Sequence, residues 1–281
     1  MEFNEKKLEE TYKLISEEIN KLINEKSKKR EITKQTSNKI LNYLDPWNVV
    51  KTVEEYRYFW KPKEVKVLLW GESYVATNNK DYKIKLKKEI LKRIDGEIDW
   101  DKYPSNYVKF VYCLGYGENE LLEIEIQHNK MGTPQYWKIF ASSIKEKQDK
   151  ILKTKVKECD ERLKNKIKIL KKMKEEGIWL LDRSIVAIYK GKEKRLPHNI
   201  TQKIIEITWK NYLKNIVESI KPKGVIFIGK SGCEFLKDEL KKLLGDKIKL
   251  YNIKQPQARG VKDEEILPRI QEIVDEILKD C

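Results

Sequence analysis

The stretch KVLLWGESYVAT, Lys66–Thr77, decides how this chain folds. Val67, Leu68, Leu69 and Trp70 form an apolar run without alternation, which suits a strand covered on both faces in a parallel or mixed α/β sheet. The run stops at Gly71, followed by Glu72 and Ser73. A glycine there lets the backbone turn sharply and lets a ligand come close. Ligands of open α/β sheets bind at the carboxyl ends of strands, so an acid just past that glycine is a site candidate. Glu72 or Ser73 capping a helix N-terminus accounts for the same residues without any ligand.

Similar signals recur outward from this stretch. Ile178–Leu181 is a second apolar run, followed by Asp182-Arg183-Ser184 and a further apolar segment, Ile185–Tyr189. Val225–Ile228 stops at Gly229-Lys230-Ser231-Gly232, and Ile248–Ile253 runs into Gln255-Pro256-Gln257-Ala258-Arg259-Gly260. Val108–Leu114 reads as another strand, leading into Gly115-Tyr116-Gly117. Helical periodicity marks Leu8–Ile23, Ile84–Ile94, Pro197–Ile220, Phe235–Leu244 and a closing helix through Ile266, Ile270, Ile273 and Ile277. Pro134 opens a further helix that runs, with at most one break, to about Glu176. The segment from Trp47 to Trp60 is irregular and aromatic, its rings serving as core. Strands alternating with helices predict a three-layer α/β/α sandwich around a four-stranded, mainly parallel sheet. Residues 1–60 form an N-terminal extension packed on the core, and 61–281 an α/β domain with an insertion at 78–176.

The 281 residues carry a net charge of +15 and are 37% charged. Such a basic excess points to polyanion contact, nucleic acid ahead of a membrane surface. A Lys-, Glu- and Ile-rich composition equally suits a protein from a hot environment, where charge networks are common. Between Lys138 and Glu176 stand 14 basic and 7 acidic side chains, which fits a solvated helical face or one turned to DNA. Four scattered cysteines without a CxxC pair argue against zinc ribbons and iron–sulfur ligation, and two histidines exclude a His-rich metal site. No apolar run approaches bilayer length, and the expectation is a cytoplasmic protein that is neither secreted nor membrane-bound.

In a parallel sheet the polar clusters after the strands share one rim and could line one cleft. That order resembles the uracil-DNA glycosylase superfamily: VLLWGES looks like its first, water-positioning motif, IWLLDRS its base-facing motif, and YNIKQPQARG its DNA-inserting loop. The resemblance implies a DNA glycosylase without metal or cofactor, in which Glu72 and Gln255 are catalytic. Ser73, Tyr74 and Asp182 would face the base, while Lys230, Ser231, Gln257 and Arg259 would touch DNA. The chain departs from the family pattern in three places. Tyr74 and Val75 stand where several families have proline, Asp182 replaces the base-reading Asn, and Gln255 replaces the histidine.

The chemistry can be weighed independently of the family. Cleaving an N-glycosidic bond develops positive charge on the sugar and negative charge on the leaving base. A carboxylate at Glu72 would stabilise the sugar and orient water, and the Gln255 amide could donate to a base oxygen. An ionised Asp182 only accepts hydrogen bonds, so it would repel a uracil carbonyl and suit an exocyclic amino group; alternatively it is a salt-bridged loop acid. Two other readings stand beside the glycosylase. One is a catalytically inactive or altered nucleic-acid-binding relative of the same fold. The other is a small-molecule enzyme cradling phosphate at Gly229–Gly232.

Overall fold

The computed structural model describes residues 2–28, 44–127, 129, 132–152, 155–188, 196–229, 233–256 and 260–279. In chain order the elements are α1 (Glu5–Lys28), α2 (Trp47–Phe59), β1 (Val67–Gly71), α3 (Asn79–Tyr82), α4 (Lys88–Ile94) and α5 (Pro134–Ser143). They continue with α6 (Cys159–Glu176), β2 (Ile178–Asp182), α7 (His198–Thr208), a π-helical turn (Trp209–Leu213) and α8 (Lys214–Ile220). β3 (Gly224–Ile228), α9 (Cys233–Leu244), β4 (Lys249–Ile253) and α10 (Asp263–Lys279) complete the chain.

The four strands form one all-parallel sheet in the order β2-β1-β3-β4. β1 lies at its heart, with Val67 opposite both Ile178 and Gly224. Every residue of β1, β2 and β3 is buried, as unalternating apolar runs require. β4, at the edge, is only partly buried. Helices α5, α6 and α10 pack together on one side of the sheet, and α1, α2, α7 and α8 on the other. The three-layer α/β/α sandwich is therefore present, and it sends all four carboxyl strand ends to one rim.

Several segments differ from the sequence-based expectation. Residues 47–60 are mostly a regular helix, with Val49, Val50, Val53, Tyr56 and Arg57 buried. This helix is built into the domain: Trp179 Nε1 donates to Arg57 O, and Arg57 donates to Leu180 O. Val108–Leu114 is buried but forms turns rather than a strand. Tyrosines supply what a neighbouring strand would: the Tyr103 hydroxyl donates to Tyr112 O and accepts from Leu114 N. Ile185–Ile188 is likewise buried and irregular, its N–H groups taken by side chains. The region after Pro134 is helical with a break, as its sequence allows, but the break is long: α5 and α6 are separated by residues 144–158, whose described part holds a short 3-10 turn.

Candidate functional site at the carboxyl rim of the sheet

Gly71 ends β1 directly opposite Asp182, the last residue of β2. A Cβ at Gly71 would collide with Asp182 Oδ1 and come within 2.7 Å of the Tyr136 hydroxyl, which explains why glycine stands here. Arg183 is fully buried and laces the rim together. Its backbone N and Nε both donate to Gly71 O at 3.1 Å, and a terminal nitrogen reaches Ile228 O at the end of β3 at 3.4 Å. Glu72 follows Gly71 and is partly exposed. The Tyr136 ring, projecting from α5, brings its hydroxyl to the Glu72 backbone N–H. Burial, reinforced by the Asp182 carboxylate, pushes the Tyr136 pKa well up, so its phenol stays protonated.

Asp182 itself is buried, and its Oδ2 accepts from an Arg57 terminal nitrogen at 2.9 Å. Arg57 Nε donates to Glu54 Oε1 at 2.8 Å, and Glu54 Oε2 accepts from the Tyr212 hydroxyl at 3.2 Å. The guanidinium also stacks 4.6 Å over the Phe110 ring. Burial works against the Arg57 charge, but the Glu54 and Asp182 carboxylates outweigh it and raise its pKa. The geometry therefore supports the salt-bridged alternative for Asp182. Its partner is Arg57, more than a hundred positions away, rather than adjacent Arg183.

Ser73 and Tyr74 also serve the frame. Ser73 Oγ donates to Tyr74 O at 3.0 Å and accepts from Ile188 N at 3.1 Å, tying the loop after β1 to that after β2. Asp45 strengthens the same seam: its carboxylate accepts from Thr77 N at 3.1 Å and from Ala187 N at 3.2 Å. Tyr74 is buried, its ring edge-on to Phe110, and its hydroxyl has no hydrogen-bond partner among the described residues. Burial, with Asp45 nearby, pushes its pKa well up. The base-facing expectation for Tyr74 and Asp182 thus meets two side chains turned into protein. Glu72 and Ser73 remain partly exposed.

Gln255 is partly exposed, two positions past the end of β4, followed by buried Pro256. It stands on the same rim as Glu72 but with β3 between their strands. Strand spacing puts β1 and β4 about 10 Å apart. Topology thus makes Glu72 and Asp182 immediate neighbours and leaves Gln255 across the rim. Lys230, Ser231, Gln257 and Arg259 lie outside the described residues.

An open groove of about 630 Å³ is lined by Phe3, Tyr58, Phe59, Trp60 and Ile98 with mixed charges. The ligand atoms of Glu118, Glu120 and Cys159 lie within 4.8 Å of one another, but the Glu118 carboxylate is already bound by Arg162 at 2.6 Å and Lys166 at 2.7 Å. Burial opposes ionisation of Glu118, yet Lys166 and Arg162 outweigh it and lower its pKa. The cluster is an ion-pair network, not a vacant ligand set.

Arg57, Tyr136 and Asp45 are the rim residues that sequence reading did not single out. Nothing near Arg57 in the chain marks it as a rim residue, because only Glu54 is a local partner and the other two come from distant β2. Compared with family models and with curated proteins, the chain matches none.

Proposed function

We propose that this protein is a DNA glycosylase-like hydrolase that removes a damaged or deaminated base by cleaving its N-glycosidic bond. The observation that carries this reading is the position of Glu72: a partly exposed carboxylate immediately past the central strand, on a loop held from beneath by Tyr136 and Arg183. A rigid frame under a single acid is what orienting a water molecule requires. In this reading Glu72 aligns the attacking water and stabilises positive charge on the sugar. The Gln255 amide, on the same rim, donates to an oxygen of the departing base. DNA contact has support in composition: the segment 189–195, YKGKEKR, holds four basic residues and one acid. Leu196 N and Ile188 O, which flank it, are hydrogen-bonded beside Ser73.

The test is a panel of duplexes carrying uracil, hypoxanthine, xanthine or mismatched thymine, treated with alkali to reveal abasic sites. The wild type should cut at least one. Glu72→Gln should lose turnover by about 10²–10⁴-fold, the usual range for a positioned acid or base, with DNA affinity nearly intact. Equal loss of both would make Glu72 structural.

A second reading is favoured by the Arg57–Asp182 ion pair and the buried Tyr74, which leave the rim short of base-reading groups. It is a nucleic-acid-binding relative without glycosylase chemistry. The same panel separates the two: salt-dependent binding with no lesion cut supports the second.

A further inference from the structure

The missing side chain of Gly71 leaves a gap that two polar groups enter from different elements. A Cβ built there would lie 2.4 Å from Asp182 Oδ1 and 2.7 Å from the Tyr136 hydroxyl, so both oxygens turn toward one point beside the residue that precedes Glu72. Asp182 ends β2 opposite Gly71, and Arg57 fixes it by taking Oδ2 at 2.9 Å. Tyr136 comes from the first turn of α5, inside the insertion, with its ring edge-on to Phe140. α5 is itself fastened to α10: Ser142 Oγ donates to Leu267 O at 2.6 Å, and Lys138 pairs with Asp263. Ring packing accounts for an aromatic residue at this position, but not for its hydroxyl.

A phenol oxygen can accept from an N–H while giving its one proton to an acceptor. The Tyr136 hydroxyl meets the Glu72 backbone N–H and stands among three charged groups, Asp182, Arg183 and Glu72. Of the two carboxylates, Asp182 is the one turned with the hydroxyl onto Gly71, through the oxygen that Arg57 does not take. The hydroxyl therefore has the Glu72 N–H to accept from and a fixed acid beside it. We propose that Asp182 and Tyr136 are a positioning pair for Glu72: Asp182, anchored by Arg57, orients the Tyr136 hydroxyl, and the hydroxyl holds the Glu72 backbone and with it the direction of the carboxylate. Asp182 then serves the reaction without touching the base. The effect on turnover rests on the hydrolase reading; the hold on the Glu72 backbone does not.

Tyr136→Phe deletes the hydroxyl and keeps the ring, and thermal unfolding checks that the fold survives. Amide hydrogen exchange at Glu72, followed by NMR, reads the hold directly and needs no substrate. It should quicken by about three- to tenfold in Tyr136→Phe, the reach of one hydrogen bond, while the rest of β1 exchanges as in the wild type. Asp182→Asn, which keeps an oxygen but loses the charge, should give a smaller increase of the same kind. On whichever lesion the wild type cuts, Tyr136→Phe should lower kcat by about 10–100-fold with KM within about twofold, because a misplaced group costs rate rather than binding. Glu72→Gln combined with Tyr136→Phe should be no slower than Glu72→Gln alone, since the hydroxyl acts only through Glu72. Unchanged exchange at Glu72 in either single variant would overturn the pair. So would a full further loss of rate in the double variant, or a raised KM at unchanged kcat, which would make Tyr136 a base contact. If the wild type cuts no lesion, the hydrolase reading fails, and the exchange measurement alone decides the pair.

Discussion

Arg57 donates to Glu54, to Leu180 O and to Asp182 from a site with almost no solvent contact. Removing the cation alone strands two buried carboxylates. Arg57→Met should therefore lower unfolding free energy by about 3–5 kcal/mol, measured by urea denaturation. Adding Glu54→Gln and Asp182→Asn to Arg57→Met should restore most of that loss, because no buried charge is then left over; failure to recover would mean that Arg57 acts mainly by packing on Phe110. Glu118 gives a pH-dependent counterpart. Its folded pKa lies below its ordinary value, so its ion pairs stabilise the protein above the unfolded pKa, about 4.3 for glutamate. That contribution is lost as pH falls through the folded value. Glu118→Gln should then be markedly less stable than wild type at pH 7, with the gap closing below about pH 4 as the wild-type carboxylate becomes protonated. A gap of constant size across that range would count against the ion pairs.

At the scale of elements, α6 shows what composition conceals. Four of its lysines are spent on acids from other parts of the chain: Lys168 and Lys172 on Glu146, Lys171 on Asp95 and Glu97, Lys166 on Glu118. Glu146 has its pKa lowered by Lys172 and Lys168; its own side chain is partly buried, while both lysines are exposed to solvent that screens the pairs. Glu146→Gln should accordingly cost no more than about 1 kcal/mol in thermal or chemical unfolding. Three strands were legible as unalternating apolar runs because burial on both faces is a property of the run itself, while β4, partly buried at the edge, showed as the mixed run Ile248–Ile253. Val108–Leu114 is just as apolar and is not a strand, because its backbone is satisfied by Tyr103 and by its own turns. Helix α2 was hidden by its aromatic side chains. The rim positions of Glu72, Asp182 and Gln255 followed from strand order, whereas the Arg57 pairing could not, since it joins α2 to β2 across the whole insertion.

Across the whole molecule, strand ends are sorted by the direction of the strands. Every strand leaves through the rim that holds Glu72 and enters at the opposite end of the sheet. Such sorting comes with a parallel sheet, whose strand ends are of two kinds and lie on opposite sides. In chain order the sheet is far from local: Val67 must wait for Ile178 on one side and Gly224 on the other. During synthesis this fully buried strand therefore emerges long before either neighbour exists. Contacts so distant in the chain slow folding and lengthen the exposure of sticky intermediates. The helices and buried turns between residues 79 and 176 are made during that wait, so the insertion is also what the newborn VLLW run first has available to shelter against.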